Sequence, residues 1–252
     1  KVQAQRDVHQ DHILENYTES IHGKGLLESG LVVAAMCTNC HTAHLELPAS
    51  DSRSSVHRSN IAVTCGQCHQ GIYEKYIQSV HSPIRAKERD KVPVCSDCHT
   101  AHTIRRTDMD SFRFEIMNTC GKCHQAIAKT YFETFHGQAS KLGYGKTAKC
   151  YDCHGSHEIL PATEAQSKLS SQNIVSTCQQ CHAGATRRFA GYLTHATHHD
   201  PHKYPWIFWT FWLMTALLVG TFAASGIHTL LWLPKSLEMR RLHPPKPVDP
   251  NE

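Results

Sequence analysis

The sequence predicts a mainly α-helical fold with long loops, built from three similar units and followed by one transmembrane helix. Three observations predict it: six cysteine pairs of identical spacing, an internal repeat of about 57 residues, and a long apolar run near the C-terminus. Hydrophobic residues make up only 40% of the 252 residues, and aromatic residues 8%. That is a small supply for an ordinary core, so we expect something other than side chains to fill the interior.

Every cysteine belongs to a Cys-X-X-Cys pair, and a histidine directly follows each pair. The pairs are Cys37/Cys40, Cys65/Cys68, Cys95/Cys98, Cys120/Cys123, Cys150/Cys153 and Cys178/Cys181, followed by His41, His69, His99, His124, His154 and His182. This is the attachment motif for c-type haem. Two thiols at this spacing reach the two vinyl groups on one porphyrin edge, and the next residue places an imidazole under the iron. The sequence therefore predicts six covalently bound haems.

Other uses of paired cysteines explain the pattern less well. Disulfides and thioredoxin-like redox pairs need no histidine at a constant offset, and zinc ribbons do not require it six times in six. Covalent haem attachment occurs outside the bacterial cytoplasm, where free thiols would otherwise form disulfides. The chain begins with Lys1, which predicts either removal of a leader or a trimmed chain.

The repeat predicts a second ligand for every iron. Each unit contains an upstream histidine, then CxxCHxxH, then a plain CxxCH, over residues of about 20–70, 79–125 and 134–183. Six further histidines thus recur in register with the six motifs: His22, His44, His81, His102, His136 and His157. This is the number that six bis-histidine haems need.

Connectivity suggests how these histidines pair. A helix from Gln70 to His81, repeated around Lys129 to His136, leads from one attachment motif to the next upstream histidine. The predicted pairs are His22 with His41, His44 with His69, His81 with His99, His102 with His124, His136 with His154, and His157 with His182. The set of six second ligands is firmer than this pairing.

A fourth copy of the upstream histidine occurs at His195, without a following CxxCH. It is either the remnant of a truncated unit, or it or one of its neighbours His198, His199 and His202 ligates a haem of a partner chain or replaces an assigned ligand. His57 is a further candidate ligand with no counterpart in the other units. His9 and His12 are interpreted as surface residues.

Bis-histidine irons have no open position for a substrate, so the pattern favours electron transfer over catalysis. Six such haems within about 200 residues must lie close together and supply most of the buried apolar area. The expected secondary structure is short helices around each CxxCH, joined by long loops that haem and iron hold in place. The formal charge of +4 would become roughly −8 with twelve propionates, so the basic sequence gives no nucleic-acid signal.

Residues 204–234 are predicted to form a transmembrane helix. From Trp206 to Leu233 the chain has one ionisable side chain, His228, and tryptophans lie near both ends. Basic residues follow the run at Lys235, Arg240, Arg241 and Lys246. The positive-inside rule then places residues 1–203 in the periplasm and residues 235–252 in the cytoplasm, which predicts the bacterial inner membrane. The Pro-rich segment from Pro244 to Glu252 is predicted to be disordered or extended.

An ionisable residue within a membrane helix is costly and usually functional. His228 could ligate a b-type haem together with a histidine of another helix, contact a quinone, or hydrogen-bond within a helix bundle. One helix alone builds neither a haem nor a quinone site. A membrane partner, or further helices in a longer parent chain, is therefore expected.

The alternation of CxxCHxxH and CxxCH over residues 20–182 resembles the periplasmic multihaem c-type cytochromes with bis-histidine haems. With its anchor the chain is similar to the tetrahaem quinol dehydrogenases that feed periplasmic reductases, although these carry the anchor at the N-terminus. The segment from Ser225 to Leu237 is similar to helix ends in b-type membrane cytochromes. The resemblance implies a subunit of a quinone-linked respiratory complex.

The leading hypothesis is an electron carrier between a membrane cytochrome b or quinone-binding subunit and a periplasmic redox protein, with no catalytic residues of its own. Two alternatives remain open. A multihaem enzyme of the nitrite or hydroxylamine type would need one five-coordinate haem. A subunit of an extracellular cytochrome filament would use His195 to cap a haem of its neighbour.

Overall fold

A computed structural model describes residues 11–191 and 195–242. This part of the chain contains thirteen α-helices and no β-strand, so the predicted mainly helical fold is confirmed. The helices are α1 (Ile13–Glu19), α2 (Ile21–Leu27), α3 (Cys37–His41), α4 (Ile61–Gly66), α5 (Gln70–Gln78), α6 (Cys95–His99), α7 (Asp110–Cys123), α8 (Gln125–Glu133), α9 (Phe135–Lys141), α10 (Cys150–His154), α11 (Ile174–Gln179), α12 (Arg187–Ala190) and α13 (Pro205–Leu242). The chain divides into two compact bodies, Lys1–His195 and Ala196–Glu252.

The first motif of each predicted unit forms a helix of five residues, α3, α6 or α10, with the same start. A side chain between the two cysteines accepts a hydrogen bond from the backbone N–H of the residue before the first cysteine. The three bonds are Asn39 Oδ1 to Met36 N at 2.8 Å, Asp97 Oδ2 to Val94 N at 2.7 Å, and Asp152 Oδ2 to Lys149 N at 2.7 Å. The bond satisfies an N–H that a helix start would otherwise leave without a partner, so Asn or Asp at this position starts the helix.

The plain motifs of the first and third units lie only partly within a helix, which limits the expectation of a helix around each CxxCH. Helices α4 and α11 end before the second cysteine, so Cys68 and Cys181 lie in the turn that follows. Their N–H groups donate to the carbonyls of Cys65 and Cys178, three residues back, at 3.3 Å in both motifs. The physical reason is that bonds of this span tighten the last turn and end the helix.

A tyrosine near the end of α1, α5 and α8 holds the loop that leads into the next motif. Its hydroxyl donates to the carbonyl two residues before the first cysteine, and the distances are 3.0 Å for Tyr17 to Ala35, 3.1 Å for Tyr76 to Pro93, and 2.7 Å for Tyr131 to Ala148. Burial raises the pKa of Tyr76 and of Tyr131 to about 12. The hydroxyl is therefore a permanent donor at neutral pH.

The predicted helix from Gln70 to His81 is shorter in the structure. Helix α5 ends at Gln78 because Ser79 takes an extended conformation, with φ −74° and ψ 154°. The next N–H, of Val80, donates to the carbonyl of Ile159 at 2.9 Å instead of continuing the helix. The equivalent bond runs from Ile21 N to Ile104 O at 2.7 Å. The segments that carry His22 and His81 thus contact the following unit.

Side chains alone bury little apolar surface. Among the described residues the buried hydrophobic side chains are Ala62, Tyr76, Val94, Met117, Tyr131 and Ala185. In the described part of the first body, so few buried side chains do not form a core able to hold the helices together.

In the second body, α13 runs for 38 residues and is long and apolar enough to cross a membrane. It continues beyond the predicted end at Pro234 to Leu242. A proline removes one helical hydrogen bond without forcing the chain to leave the helix, and the following residues keep helical geometry. The predicted extended tail from Pro244 to Glu252 lies outside the described residues.

Candidate haem centres

Each of the six motif histidines lies beside one other histidine, and the ring centres are 6.0–6.2 Å apart in every case. The pairs are His41 with His102, His69 with His22, His99 with His157, His124 with His81, His154 with His195, and His182 with His136. All of these residues lie in the first body.

The spacing suits two imidazoles that bind one iron from opposite sides. A metal–imidazole bond of about 2 Å on each side places the two ring centres about 6 Å apart. Direct ring stacking would bring the centres closer, as His198 and Phe211 show at 3.8 Å. The donor set therefore fits haem c: two thiols at one porphyrin edge, and an imidazole on each face.

Burial keeps these imidazoles in the form that binds metal. It lowers the pKa of seven paired histidines, and in six of them the neighbouring imidazole lowers the pKa further. The seven are His22, His81, His99, His102, His136, His154 and His157, of which His157 is affected by Lys75 and Glu158 instead of its partner ring. Neutral imidazole is the metal ligand.

The attachment cysteines follow one another in space in the order of the sequence. The Cys65 and Cys95 thiols lie close enough together for each to shift the pKa of the other, and so do the Cys120 and Cys150 thiols. The other neighbouring motifs also come close together. Burial raises the pKa of the Cys40, Cys98 and Cys153 thiols, and a cysteine of the next motif raises it further. These cysteines are Cys65, Cys120 and Cys178, respectively. Six macrocycles attached here would lie in one unbroken row.

Four of the twelve predicted attachment thiols differ from the rest in being exposed, while the other eight are half-buried. The exposed four are Cys37, Cys68, Cys123 and Cys181, and no motif contains two of them. The polypeptide alone therefore does not enclose Cys68 and Cys181, which lie in the turns after α4 and α11.

The exposed thiols of the plain motifs still lie close to the first motif of their own unit. Cys68 helps to raise the pKa of the Cys40 thiol, and Cys181 that of the Cys153 thiol, in both cases after burial and a nearer cysteine or carboxylate. Both thiols of each plain motif thus remain beside the row of attachment sites. Their position is compatible with the predicted role in binding haem.

The structure does not bring together the histidine pairs that sequence connectivity suggested. The upstream histidine pairs with the plain CxxCH of its own unit, as His22 does with His69. The histidine of CxxCHxxH pairs with the motif of the preceding unit, as His102 does with His41. The physical reason is the contact between units, in which Ile21 N and Val80 N bond to Ile104 O and Ile159 O. Sequence distance alone contains no sign of this crossing.

His195 takes the partner position of the last unit, beside His154. The Thr130 hydroxyl donates to the carbonyl of Ile127 at 2.8 Å, so its oxygen accepts from Nδ1 of His195 at 3.1 Å. That bond leaves Nε2 with the lone pair that a metal needs. Of the readings left open for His195, replacement of an assigned ligand agrees with this geometry.

His44 and His57 face no motif histidine among the described residues. The His44 side chain is exposed, and its predicted partner His69 lies beside His22. His57 Nδ1 lies 2.7 Å from the hydroxyl of Ser59. His12 is exposed, as expected for a surface residue, and His9 lies outside the described residues.

The turn after each first motif has the same backbone conformation, which is strained at the two threonines and unstrained at the glycine. The residue that follows the motif histidine has a positive φ: 67° at Thr42, 64° at Thr100 and 86° at Gly155. A β-branched residue in this region costs about 1–3 kcal/mol. This turn changes the direction of the chain directly after the motif and leads His44, His102 and His157 away from their own motifs.

Lys149 is a buried cation that sequence reasoning missed. Its side chain is 1% exposed, and its amine donates to the carbonyls of Gly145 at 3.0 Å and Thr147 at 2.5 Å. Burial lowers the pKa of the amine. The repeat could have identified it, because Lys149 stands where the other units have Met36 and Val94.

The zinc and disulfide alternatives find no support in the geometry. All twelve cysteines are free thiols. Within residues 11–191 and 195–242, no cysteine groups with two other His, Cys or carboxylate side chains closely enough to hold one metal ion.

His228 is exposed near the middle of α13, in the second body.

Comparison with known proteins agrees with this donor set. The family model described as cytochrome c7 and related cytochrome c matches residues 50–125, just under a third of the chain. The matched region contains the second, third and fourth attachment motifs. No curated protein and no solved structure matches the chain. The family match supports a multihaem cytochrome of the c type, with covalent haem and a role in electron transfer.

Proposed function

We propose that this chain is a hexahaem electron-transfer subunit of a membrane respiratory complex. Three two-haem units would carry six bis-histidine haems in a row, in the periplasm. The observation that supports this most directly is the set of six histidine pairs with ring centres 6.0–6.2 Å apart, each containing one motif histidine. With two imidazoles on every iron, no haem offers a site for substrate.

The proposal predicts six haems per chain and no five-coordinate iron. Pyridine haemochrome analysis with intact mass should give six covalent haems, and ferric EPR of the purified protein should contain low-spin signals only. A high-spin signal in freshly isolated protein would favour the alternative of a multihaem enzyme. Release from membranes without detergent would favour the filament alternative.

The membrane end of the proposal depends on α13. Its length, its apolar composition and the basic residues Arg240 and Arg241 in its last turn are compatible with an inner-membrane anchor whose C-terminus is cytoplasmic. We propose that His228 contributes to a b-haem or quinone site shared with a membrane partner, and that a periplasmic redox protein exchanges electrons at the far end of the row.

The His228 proposal is tested in the native complex. His228→Leu should remove the b-type signal from the pyridine haemochrome spectrum and leave the c-type signal unchanged, because the ligand is lost without a new charge in the membrane. If the b-type signal stays and quinol-driven reduction of the c haems slows, the quinone role is favoured. A variant with neither change would contradict both roles.

A further inference from the structure

One rule describes the contacts between units: the last histidine of CxxCHxxH lies beside a motif histidine of the preceding unit. The first unit has such a histidine but, among the described residues, no partner for it. His102 and His157, the last residues of CxxCHxxH in the second and third units, lie beside the motif histidines of the preceding unit. His44 holds the same place in the first unit. Residues 1–36 contain no cysteine, so the rule assigns His44 no motif histidine within residues 1–252.

His44 follows the same kind of turn as its two counterparts, His102 and His157. The turn at Thr42 has the left-handed φ of Thr100 and Gly155, and the Thr42 hydroxyl donates to the carbonyl of Leu45 at 2.8 Å. His102 and His157 are half-buried, whereas His44 is exposed. Within the described residues no hydrogen bond or ring contact involves its imidazole.

A second group on the same face is also without a partner. Two residues after the paired histidine, the carbonyls of Ile104 and Ile159 accept N–H groups from the preceding unit. The counterpart in the first unit is the carbonyl of Glu46, which no N–H of the described chain reaches. Both groups by which a later unit binds its predecessor are therefore exposed on the first unit.

At the other end of the row, the last first-motif histidine already has a partner. Under the rule, His154 would pair with the CxxCHxxH histidine of a fourth unit. His195 occupies that position instead, in contact with Thr130. Every motif histidine thus already faces a second imidazole, and a second copy of this chain offers no iron that lacks a ligand. The first unit is therefore open to an iron that does not belong to residues 1–252.

We propose that His44 is the axial ligand of a haem c iron that does not belong to residues 1–252, carried by another c-type haem unit that docks on the first unit through His44 and the Glu46 carbonyl. This inference rests on the proposed function, because it assumes that the six irons of this chain have their ligands. The partner would be a c-type cytochrome with one haem that has a single histidine ligand. The shared iron would extend the row of haems into that partner.

The first test uses the isolated holoprotein. His44→Ala should leave its ferric EPR spectrum unchanged, with low-spin signals only, because no iron of this chain uses His44. The appearance of one high-spin haem would overturn the inference and assign His44 to an iron of its own chain. Six low-spin haems in the parent protein test the proposed function independently of this variant.

The second test uses a probe: the ferric haem octapeptide cut from a cytochrome c, which has one imidazole ligand and an open position. Micromolar holoprotein should convert one equivalent of probe to the low-spin form, at a concentration where free imidazole converts almost none. His44→Ala should weaken this conversion by about tenfold or more, and the control His57→Ala should leave it unchanged. Equal conversion by the parent protein and His44→Ala would overturn the inference, as would self-association that requires His44.

Discussion

At the scale of single residues, hydrogen bonds to imidazoles and buried charges control the haem centres. Thr130 accepts Nδ1–H of His195 while donating its own proton to Ile127, so only Nε2 of His195 can face iron. Lys149 carries the only side chain larger than serine that is less than 2% exposed in the described chain. Both residues act on the fifth motif, Cys150 to His154.

Thr130→Val should loosen the ligation of the fifth iron by His195. The substitution removes the hydroxyl at almost constant size, and loss of such a partner weakens ligation by about 10- to 100-fold. We expect carbon monoxide to bind about one haem per chain in the reduced variant and none in the parent protein. Thr130→Ser keeps the hydroxyl and should behave like the parent; carbon monoxide binding equal in all three proteins would contradict the assignment of His195.

Lys149→Met should lower the reduction potential of the fifth haem, because a nearby positive charge favours the reduced iron. The expected change is roughly tens of millivolts at one haem of six, seen in a spectroelectrochemical titration. Met is the residue at this position in the first unit, Met36, so the fold should tolerate it. Lys141→Met, at an exposed lysine, is the control and should leave the titration unchanged.

Lys149 also predicts a pH dependence of stability. Burial lowers the pKa of its amine in the folded state, so the unfolded chain binds more protons between the folded and unfolded pKa values. Stability therefore rises with pH through this range, towards the ordinary lysine pKa of about 10.4, and is lost as pH falls. Denaturant titrations should show this rise in the parent protein and not in Lys149→Met; parallel curves would contradict it.

At the scale of elements, short helices are held by single hydrogen bonds that recur from unit to unit. The tyrosine hydroxyl at the end of α1, α5 or α8 fixes the approach to the next motif. Methionine Met117 of α7 connects two units, since its sulfur accepts the N–H of Cys150 at 3.4 Å. These contacts, and not a helix-packing core, position the attachment sites.

Tyr131→Phe should lower the free energy of unfolding by about 1 kcal/mol, because the carbonyl of Ala148 loses its donor while the ring stays in place. Denaturant titration followed by the haem absorbance measures this change. Tyr144→Phe is a matched control, since Tyr144 is 59% exposed, and we expect its effect to be near zero. Equal effects of the two substitutions would argue against the structural role of the Tyr131 hydroxyl.

At the scale of the whole molecule, the first body lacks a side-chain core. Among its described residues only six hydrophobic side chains are buried. Contacts between units are polar and local, for example the ion pairs of Arg58 with Asp97 and of Arg85 with Glu164. Six haems would supply the missing apolar interior and tie each loop through three bonds.

Expression without the haem-attachment machinery should therefore give an unfolded first body. Far-UV circular dichroism of residues 1–203 under reducing conditions should show little helix, and the holoprotein should show the helix content of the structure. Residues 204–242 alone in detergent should remain helical, because α13 needs no haem. A cooperative thermal transition in the haem-free fragment would contradict this account of the fold.

Several features could be predicted from the sequence because they depend on local spacing. Cys37 to His41 and its five counterparts form attachment motifs whatever surrounds them, and the apolar run of α13 is a matter of length and composition. Helix ends were less accurate: α5 stops at Gln78 because Val80 bonds to a distant carbonyl, and α4 stops short of Cys68. The buried Lys149 was visible only by comparing units position by position.

The covalent chemistry of this protein was determined by its sequence, since two thiols and an imidazole within five residues need no tertiary contact to define a haem site. The pairing of the imidazoles was decided by the tertiary structure. Bonds from Ile21 to Ile104 and from Val80 to Ile159 set each unit against the next, so that His102 and His157 lie beside motif histidines of the preceding unit. The physical reason is that an axial ligand is chosen by proximity in space, and here the nearest imidazole belongs to another part of the chain.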